Sequence, residues 1–165
     1  MATTNTYQAV IATPLGRIGL RMIGEAVGAL DYLPADAPEQ PATDAATEAV
    51  VSQLQAYFCD PGCRFSILLA TTGTAFQQRV WAALQAIPPG TVLTYGELAR
   101  QLKTAARAIG GACRTNPAPI LIPCHRVVSR QGLGGYAGEV SGDPLAIKRW
   151  LLQHESVDVA SKKVN

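Results

Sequence analysis

Short runs of apolar and β-branched residues fill the first third of the 165-residue chain. Between residues 7 and 33 the segments TPLG and GE interrupt these runs as turn signals, so the pattern predicts a meander of β-strands. The segment PADAPEQPAT at residues 34–43 indicates a polar loop. Residues 64–70, RFSILLA, are consistent with one further strand. The first third therefore predicts a small β-sheet.

Apolar residues also recur with helical spacing. In residues 43–58, TDAATEAVVSQLQAYF, the side chains of Val50, Leu54 and Phe58 fall on one face of a helix. Near the end of the chain, the DP pair at 143–144 supplies an N-cap and an N1 proline for the segment LAIKRWLLQHE. Both segments predict helices.

Two capping boxes mark further helices in the middle of the chain. Thr74 with Gln77 opens the segment AFQQRVWAALQAI, which the sequence PPG ends, and Thr94 with Glu97 opens the segment YGELARQL. After a short break follows AARAIGGACR at residues 105–114. Two short helices joined by a tight turn are typical of a helix-turn-helix.

These elements divide the chain into a β-rich scaffold domain at residues 1–73 and a helical domain at residues 74–165, so the predicted fold class is α+β. The composition, 48% hydrophobic and 16% charged, is that of a compact globular protein. The first ten residues have no basic and apolar leader pattern, and no apolar run is long enough to span a membrane. We therefore expect a cytoplasmic protein without membrane association, in which the four cysteines are thiols.

The net charge of +2 conceals an asymmetry along the chain. Residues 1–93 carry four Lys or Arg against seven Asp or Glu, whereas residues 94–150 carry eight against three. A basic half of this kind favours a polyanionic partner, although a solvated surface would explain it equally well. Charge alone does not decide between these two interpretations.

Cys124 is the leading candidate for chemistry, because it lies in the segment IPCHRVV beside a histidine and an arginine. Prolines at 117, 119 and 123 predict an extended, rigid backbone that would position a nucleophile. His125 and Arg126 could each lower the pKa of the thiol. Because adjacent side chains of an extended chain point in opposite directions, His125 is expected to reach Cys124 only through a water or a local bend. A purely structural histidine is the alternative.

The other cysteines carry no comparable signal. Cys59, Cys63 and Cys113 are best interpreted as inert thiols, since a free cysteine is often just a small hydrophobic residue. Cys59 and Cys63 have the spacing C-x-x-x-C, but no second Cys or His pair completes a four-ligand zinc site. We expect no metal and no cofactor.

A longer set of motifs points to a family. The segments FQQRVWAALQAIPPGTVLTYGELA, AARAIGGACRTNPAPILIPCHRVV, GGYAG and KRWLLQHE together resemble the active-site region of the O6-alkylguanine-DNA alkyltransferases. The resemblance covers about residues 74–156 densely and the N-terminal third only in outline. It implies a small N-terminal β-sheet domain of RNase H-like type, followed by a helical domain with a winged helix-turn-helix-like DNA-binding region.

The resemblance also implies a reaction and a partner. The family binds double-stranded DNA through the minor groove and flips the damaged base out of the helix. An alkyl group then passes irreversibly from O6-alkylguanine to a cysteine in one displacement. For this chain the resemblance implies a DNA-repair protein without a cofactor, which we expect to be a monomer. Whether alkylated thymine is also a substrate is left open.

Carried over residue by residue, the resemblance makes Cys124 the alkyl acceptor. His125 would be the base, acting through a water, and Glu155 would orient and charge it. Asn116 would bridge the turn before the active site. Tyr95 would assist departure of the guanine and contact the DNA, with a half-buried core aromatic as the alternative interpretation.

The DNA-facing residues follow from the same comparison. Arg107 resembles an arginine finger that fills the space left by the flipped nucleotide, although most arginines on helices are merely exposed charges. Ala106 and Arg114 would face the groove or the backbone, since only a slim helix face fits a narrow groove. The residues implied to line the base pocket are Tyr136, Ala137, Gly138, Val127 and Cys113.

Two differences from the family pattern and two alternative functions remain. The segment between the two helices is about two residues shorter than usual, and the stretch after the tyrosine of GGYAG is longer.

A lesion-sensing protein without transfer activity is one alternative function, but such relatives replace the acceptor cysteine. A cysteine hydrolase is the other, but no oxyanion glycine motif flanks Cys124.

Overall fold

The structure is a computed structural model that describes residues 7–134 and 144–157. The chain divides into two compact units, Met1–Thr72 and Gly73–Asn165. Within the described residues, the first combines a three-stranded antiparallel sheet with one helix, and the second carries four α-helices, one 3₁₀ turn and a two-stranded sheet. The prediction of a mixed α and β fold is confirmed.

The sheet of the first unit is the predicted meander. Strands β1 (Ala9–Thr13), β2 (Gly16–Ile23) and β3 (Ala26–Leu33) pair in the order β1-β2-β3. The turns between them fall at the predicted TPLG and GE segments, where Gly16 and Gly24 have positive φ angles of 97° and 61°. Such angles suit glycine, which has no Cβ to clash.

The prediction of a strand at residues 64–70 is wrong. This segment makes only an isolated parallel bridge between Val27 and Leu69. The Gln53 side chain instead fixes it, because it accepts a hydrogen bond from Ser66 N at 2.7 Å and donates to Ser66 O at 3.1 Å. The hydrogen bonds that a neighbouring strand would make to the backbone of Ser66 are thus made by the Gln53 side chain.

Helix α1 (Ala45–Cys59) forms where predicted, with Asp44 as its N-cap. Its buried face consists of Thr47, Val50, Leu54 and Tyr57, and it packs against β1. The expectation that Phe58 belongs to this face is only partly met, since Phe58 is half-buried while Tyr57 is 1% exposed. A strict four-residue spacing drifts off a face that repeats every 3.6 residues.

The second unit begins with the two predicted capping boxes. Both are present in full, at the start of α2 (Ala75–Gln85) and of α3 (Tyr95–Leu102). Helix α4 (Ala106–Arg114) packs against both, and the Trp81 indole donates to Ala112 O at 2.9 Å. The predicted pair of short helices is therefore confirmed as α3 and α4.

The turn between α3 and α4 has three residues. Lys103 adopts a left-handed conformation with a φ of 55°, and Thr104 N donates to Ala99 O at 2.9 Å. This hydrogen bond closes the end of α3 in the way that a glycine usually allows. Arg79 donates to Leu102 O and fixes the same helix end from α2.

The segment around Cys124 departs from the extended conformation that its prolines predict. Cys124–Arg126 form one 3₁₀ turn, followed by the short strand β5 (Val127–Val128), which pairs in parallel with β4 (Leu93–Thr94). Pro123 precedes the turn and does not enter it, so the proline restriction is respected. Helix α5 (Pro144–His154) closes the unit, and its predicted N-cap, Asp143, lies outside the described residues.

Candidate active site

Cys124 lies at the first position of the 3₁₀ turn and is 3% exposed. The preceding turn holds it through Asn116, whose side chain donates to Ile122 O at 2.7 Å and accepts from Ala118 N at 2.9 Å. Ile122 O also accepts from Cys124 N at 2.8 Å. Asn116 thus bridges the turn and shares an acceptor with the backbone of the cysteine.

Ile120, inside this turn, has a φ of 76° and is 1% exposed. A β-branched residue rarely adopts this conformation, which costs on the order of 1–3 kcal/mol. The hydrogen bonds of Asn116 and the burial of the side chain offset that cost. The backbone before Cys124 is therefore strained and held in one conformation.

A buried ionic cluster lies directly after the cysteine. The His125 Nε2 is 2.8 Å from Glu155 Oε2. Arg126 donates from Nε to Glu155 Oε1 and from Nη2 to Oε2, each at 2.9 Å, and from Nη1 to Ile87 O at 2.6 Å. His125 and Glu155, which sequence reasoning paired, are brought together, and Arg126 joins them as a bidentate partner.

The buried ionic cluster around His125 determines its protonation state. Burial lowers its pKa below 6.5, and the positive charges of Arg126 and Lys148 act in the same direction. The hydrogen bond to Glu155 opposes the shift. With Glu155 accepting from Nε2–H, the other ring nitrogen, Nδ1, is an acceptor, and no described residue offers it a hydrogen bond. His125 is thus a neutral imidazole whose Nδ1 lone pair is buried without a hydrogen-bond donor among the described residues.

Lys148 is a site residue that sequence reasoning missed. Its side chain is fully buried, and its ammonium donates to Val127 O at 2.7 Å and lies 5.7 Å from the centre of the Tyr95 ring. Burial lowers its pKa to about 8, while interactions with Cys124 and Cys113 oppose the shift. A signal was present, because Lys148 shares helical spacing with the buried residues Leu151, Leu152 and Glu155.

Tyr95 and Cys113 approach the same place from α3 and α4. Burial raises the pKa of Cys113 to about 12, with Cys124 adding to the shift. The pKa of Tyr95 is also raised, first by burial and then by Cys113 and Cys124. A Cβ added to Gly134 would lie 3.0 Å from the Tyr95 ring, so Gly134 allows close contact with the phenol.

Two groups of predicted site residues lie elsewhere. Ala106, Arg107 and Arg114 are exposed on α4, away from the buried cluster. The side chain of Val127 is fully buried, and its carbonyl accepts a hydrogen bond from Lys148, while its predicted place in the base pocket stays a prediction. Three predicted pocket residues lie outside the described residues, namely Tyr136, Ala137 and Gly138.

The exposed face of α4 carries little besides small residues and arginines. A Cβ added to Gly110 or Gly111 would meet nothing within 4 Å among residues 7–134 and 144–157. Tight packing against these residues therefore does not explain the glycines, although glycine in a helix costs about 1 kcal/mol relative to alanine. The face between Arg107 and Arg114 is left slim and open.

Metal binding and membrane insertion find no support in the parts of the chain that the structure describes. No group of three or more His, Cys, Asp or Glu side chains within residues 7–134 and 144–157 could hold a metal ion. None of the helices in those ranges is long and apolar enough to cross a membrane.

Fold and site together define a protein with two short helices, joined by a three-residue turn, beside a buried cysteine and a histidine–glutamate–arginine cluster. The family described as 6-O-methylguanine DNA methyltransferase, DNA binding domain, matches residues 75–157. The chain belongs to this family, which confirms the resemblance drawn from its motifs.

Individual relatives agree. A methylated-DNA--protein-cysteine methyltransferase of Salmonella typhimurium is 55% identical over 89 residues, but these cover only 52% of this chain and 49% of that protein. The protein of the same name from Haemophilus influenzae is 35% identical over 96% of this chain and 91% of its own length. A crystal structure of Mycobacterium tuberculosis OGT in complex with DNA is 38% identical, with a TM-score of 0.73, and covers 89% of this chain and 91% of that one.

Proposed function

We propose that this protein repairs DNA by transferring the alkyl group of O6-alkylguanine irreversibly to Cys124. The observation that carries the proposal is the buried thiol of Cys124, fixed by the Asn116 turn and followed directly by the His125–Glu155 pair. In the reaction a bond forms between Cys124 Sγ and the alkyl carbon while the bond between that carbon and the guanine O6 breaks. Guanine remains in the DNA, and a thioether remains on the protein.

Proton movements in this reaction follow from the site. His125 Nδ1 accepts the thiol proton through a bridging water, and Glu155 stabilises the resulting imidazolium. The ammonium of Lys148 stabilises the thiolate, since the two groups interact favourably. Tyr95, whose raised pKa keeps the phenol protonated, donates to the departing guanine.

DNA recognition is proposed for α3 and α4. Arg107 inserts into the duplex, and the slim face of α4, with Ala106, Gly111 and Arg114, lies in the minor groove. The basic charge of this half and the DNA complex of the mycobacterial relative support DNA as the partner. The partner is therefore double-stranded DNA that contains an alkylated guanine.

Several finer features belong to the same proposal. Residues 1–73 act as a scaffold of RNase H-like type, and residues 74–165 form the DNA-binding and active-site domain with a winged helix-turn-helix-like region. The protein acts as a cytoplasmic monomer, without cofactor. Membership of the family and the likeness to the mycobacterial fold support the domain assignments.

Intact-mass measurement after incubation with duplex DNA containing O6-methylguanine tests the proposal. We expect the protein to gain the mass of one methyl group and the DNA to lose it. An unchanged protein that still binds the lesion would indicate a sensor. An unchanged protein that turns over an ester substrate would indicate a hydrolase.

Arg107→Ala should slow repair of duplex DNA far more than reaction with free O6-alkylguanine base. Extruding a base costs a few kcal/mol, and a side chain that fills the vacated stack offsets part of it. Single-turnover rates on the two substrates measure the difference. Equal losses on both would contradict the role of Arg107 in base extrusion.

Gly111→Ala should shift stability and DNA binding in opposite directions. Alanine in this exposed helical position should stabilise the fold by about 0.5–1 kcal/mol. The added methyl group meets nothing in the described residues but would lie between α4 and a bound groove, so duplex affinity should fall roughly tenfold, or about 1.4 kcal/mol. Urea unfolding and DNA titration measure the two effects. Unchanged affinity would place the DNA elsewhere.

Lys148→Met should move the acidic limb of the transfer-rate profile to higher pH. Removing a positive charge near Cys124 disfavours the thiolate, so a higher pH is needed to form it. The profile is measured with free O6-alkylguanine base, with Arg149→Met on the exposed side of α5 as control. Identical profiles for both variants would exclude a role of Lys148 in thiolate formation.

A further inference from the structure

We propose that the turn that ends α5, residues Glu155–Val157, is a positioning device for Glu155, and that Val157 is the residue that secures it. The inference rests on the proposed role of Glu155 as partner of His125. Val157 acts through Glu155 and is therefore a positioning residue.

The backbone of this turn forms a complete Schellman motif. Val157 N donates to Leu152 O at 2.8 Å, and Ser156 N donates to Gln153 O at 3.0 Å. Glu155 is the last residue before the chain reverses, and its own N donates to Leu151 O at 3.0 Å. The direction of the Glu155 side chain is thus set by the geometry of a helix end, where backbones often fray.

The residue that reverses the chain is a poor choice for this conformation. Ser156 has a φ of 64°, in the left-handed region where glycine is usual, and its side chain is exposed. A serine pays a conformational cost there that glycine does not. The turn therefore depends on a second interaction to keep it formed.

Val157 supplies that interaction. It is 2% exposed and packs in a buried cluster with Val128 and Leu152, which the half-buried Val92 and Leu133 extend. The apolar contact between Val157 and Leu152 is the one that accompanies Schellman motifs. Because Val128 follows the Cys124–Arg126 turn in β5, this cluster links the end of α5 to the strand that leaves the active site.

Two other contacts restrict Glu155 from different sides. The Arg126 fork holds both carboxylate oxygens. The Glu155 carbonyl lies against the turn after α2, where a Cβ added to Gly90 would be 3.4 Å from it. Val157 is the anchor on the chain side, so its loss should let the carboxylate shift relative to His125.

The test compares Val157→Ala with Val92→Ala, which removes the same atoms from the same cluster at a residue not attached to Glu155. Transfer rates with free O6-alkylguanine base are measured across pH, with the folded fraction followed by circular dichroism. Val157→Ala should slow transfer on the order of tenfold, less than the 10²-fold that about 1 Å of misplacement can cause. The acidic limb of the pH profile of its transfer rate should move in the same direction as in Glu155→Gln, but by a smaller amount.

Val92→Ala should lower stability without moving the pH profile. Adding Ser156→Gly to Val157→Ala should restore part of the rate, because glycine keeps the turn formed without the anchor. If Val157→Ala and Val92→Ala behave alike, Val157 is structural only and the inference is wrong. If Glu155→Gln itself leaves rate and profile unchanged, the proposed relay fails, and this outcome is distinct from failure of the Val157 anchor.

Discussion

Cys124→Ala is expected to abolish alkyl transfer completely, whereas the wild-type protein should react once per molecule and then stop. A thioether formed by displacement has no easy leaving group. Within the described residues no metal cluster is available to remove the alkyl group, and the buried Cys113, whose pKa is raised to about 12, is a poor nucleophile. A quenched-flow measurement should therefore show a burst equal to the protein concentration with no steady-state phase.

Two further cysteine variants sharpen this prediction. Cys113→Ala should still accept one alkyl group per molecule, at a changed rate, because Cys113 lies beside the acceptor without replacing it. Cys59→Ala, at the exposed end of α1 in the other unit, should match the wild type in both amplitude and rate. Multiple turnovers per molecule would contradict the assignment of Cys124 as the acceptor. A burst that survives in Cys124→Ala and disappears in Cys113→Ala would contradict it as well.

The sequence predicts those elements correctly whose conformation depends on residues close in sequence. The capping boxes at Thr74 and Thr94 involve residues three apart, so the sequence predicts the starts of α2 and α3 and the structure has both. The meander likewise follows from alternating strands and turn residues. Such features depend on neighbours within a few positions and not on the rest of the fold.

The errors arose where distant groups decide the conformation. Residues 64–70 have the composition of a strand, but the Gln53 side chain from α1 occupies the backbone groups of Ser66 in their middle. Prolines around Cys124 predict an extended chain, but Arg126 reaches Glu155 and Ile87 and the backbone folds into a 3₁₀ turn. Neither partner is visible from the local sequence.

The site shows the same division. The pairing of His125 with Glu155 came from a family resemblance and agrees with the 2.8 Å contact, although the roles of both residues remain predictions. Lys148 and the Arg126 fork were not foreseen, because a lysine or arginine in sequence is ordinarily a surface charge. Only the three-dimensional fold brings both of these cations into the interior.

Arg126→Met should have the largest effect on stability of any single substitution discussed for this site. It leaves the buried carboxylate of Glu155 at the end of α5, where the helix dipole disfavours negative charge, without its bidentate cation. Removing one partner of a buried ion pair costs about 3–5 kcal/mol, and the orphaned Ile87 carbonyl adds to the loss. Urea unfolding measures this change, with Arg130→Met as an exposed control that should stay within about 0.5 kcal/mol.

The same variant should change how stability depends on pH, and the sign follows from His125. In the wild type its folded-state pKa lies below 6.5, so the unfolded chain takes up a proton first as the pH falls, and stability is lost below about pH 6.5. Arg126 contributes to that depression, and without it the negative charge of Glu155 raises the pKa of His125. We therefore expect Arg126→Met to be less stable at neutral pH but to lose less stability on acidification. A variant that is destabilised with an unchanged acid slope would show that Arg126 does not lower the pKa of His125, and that its fork serves the fold alone.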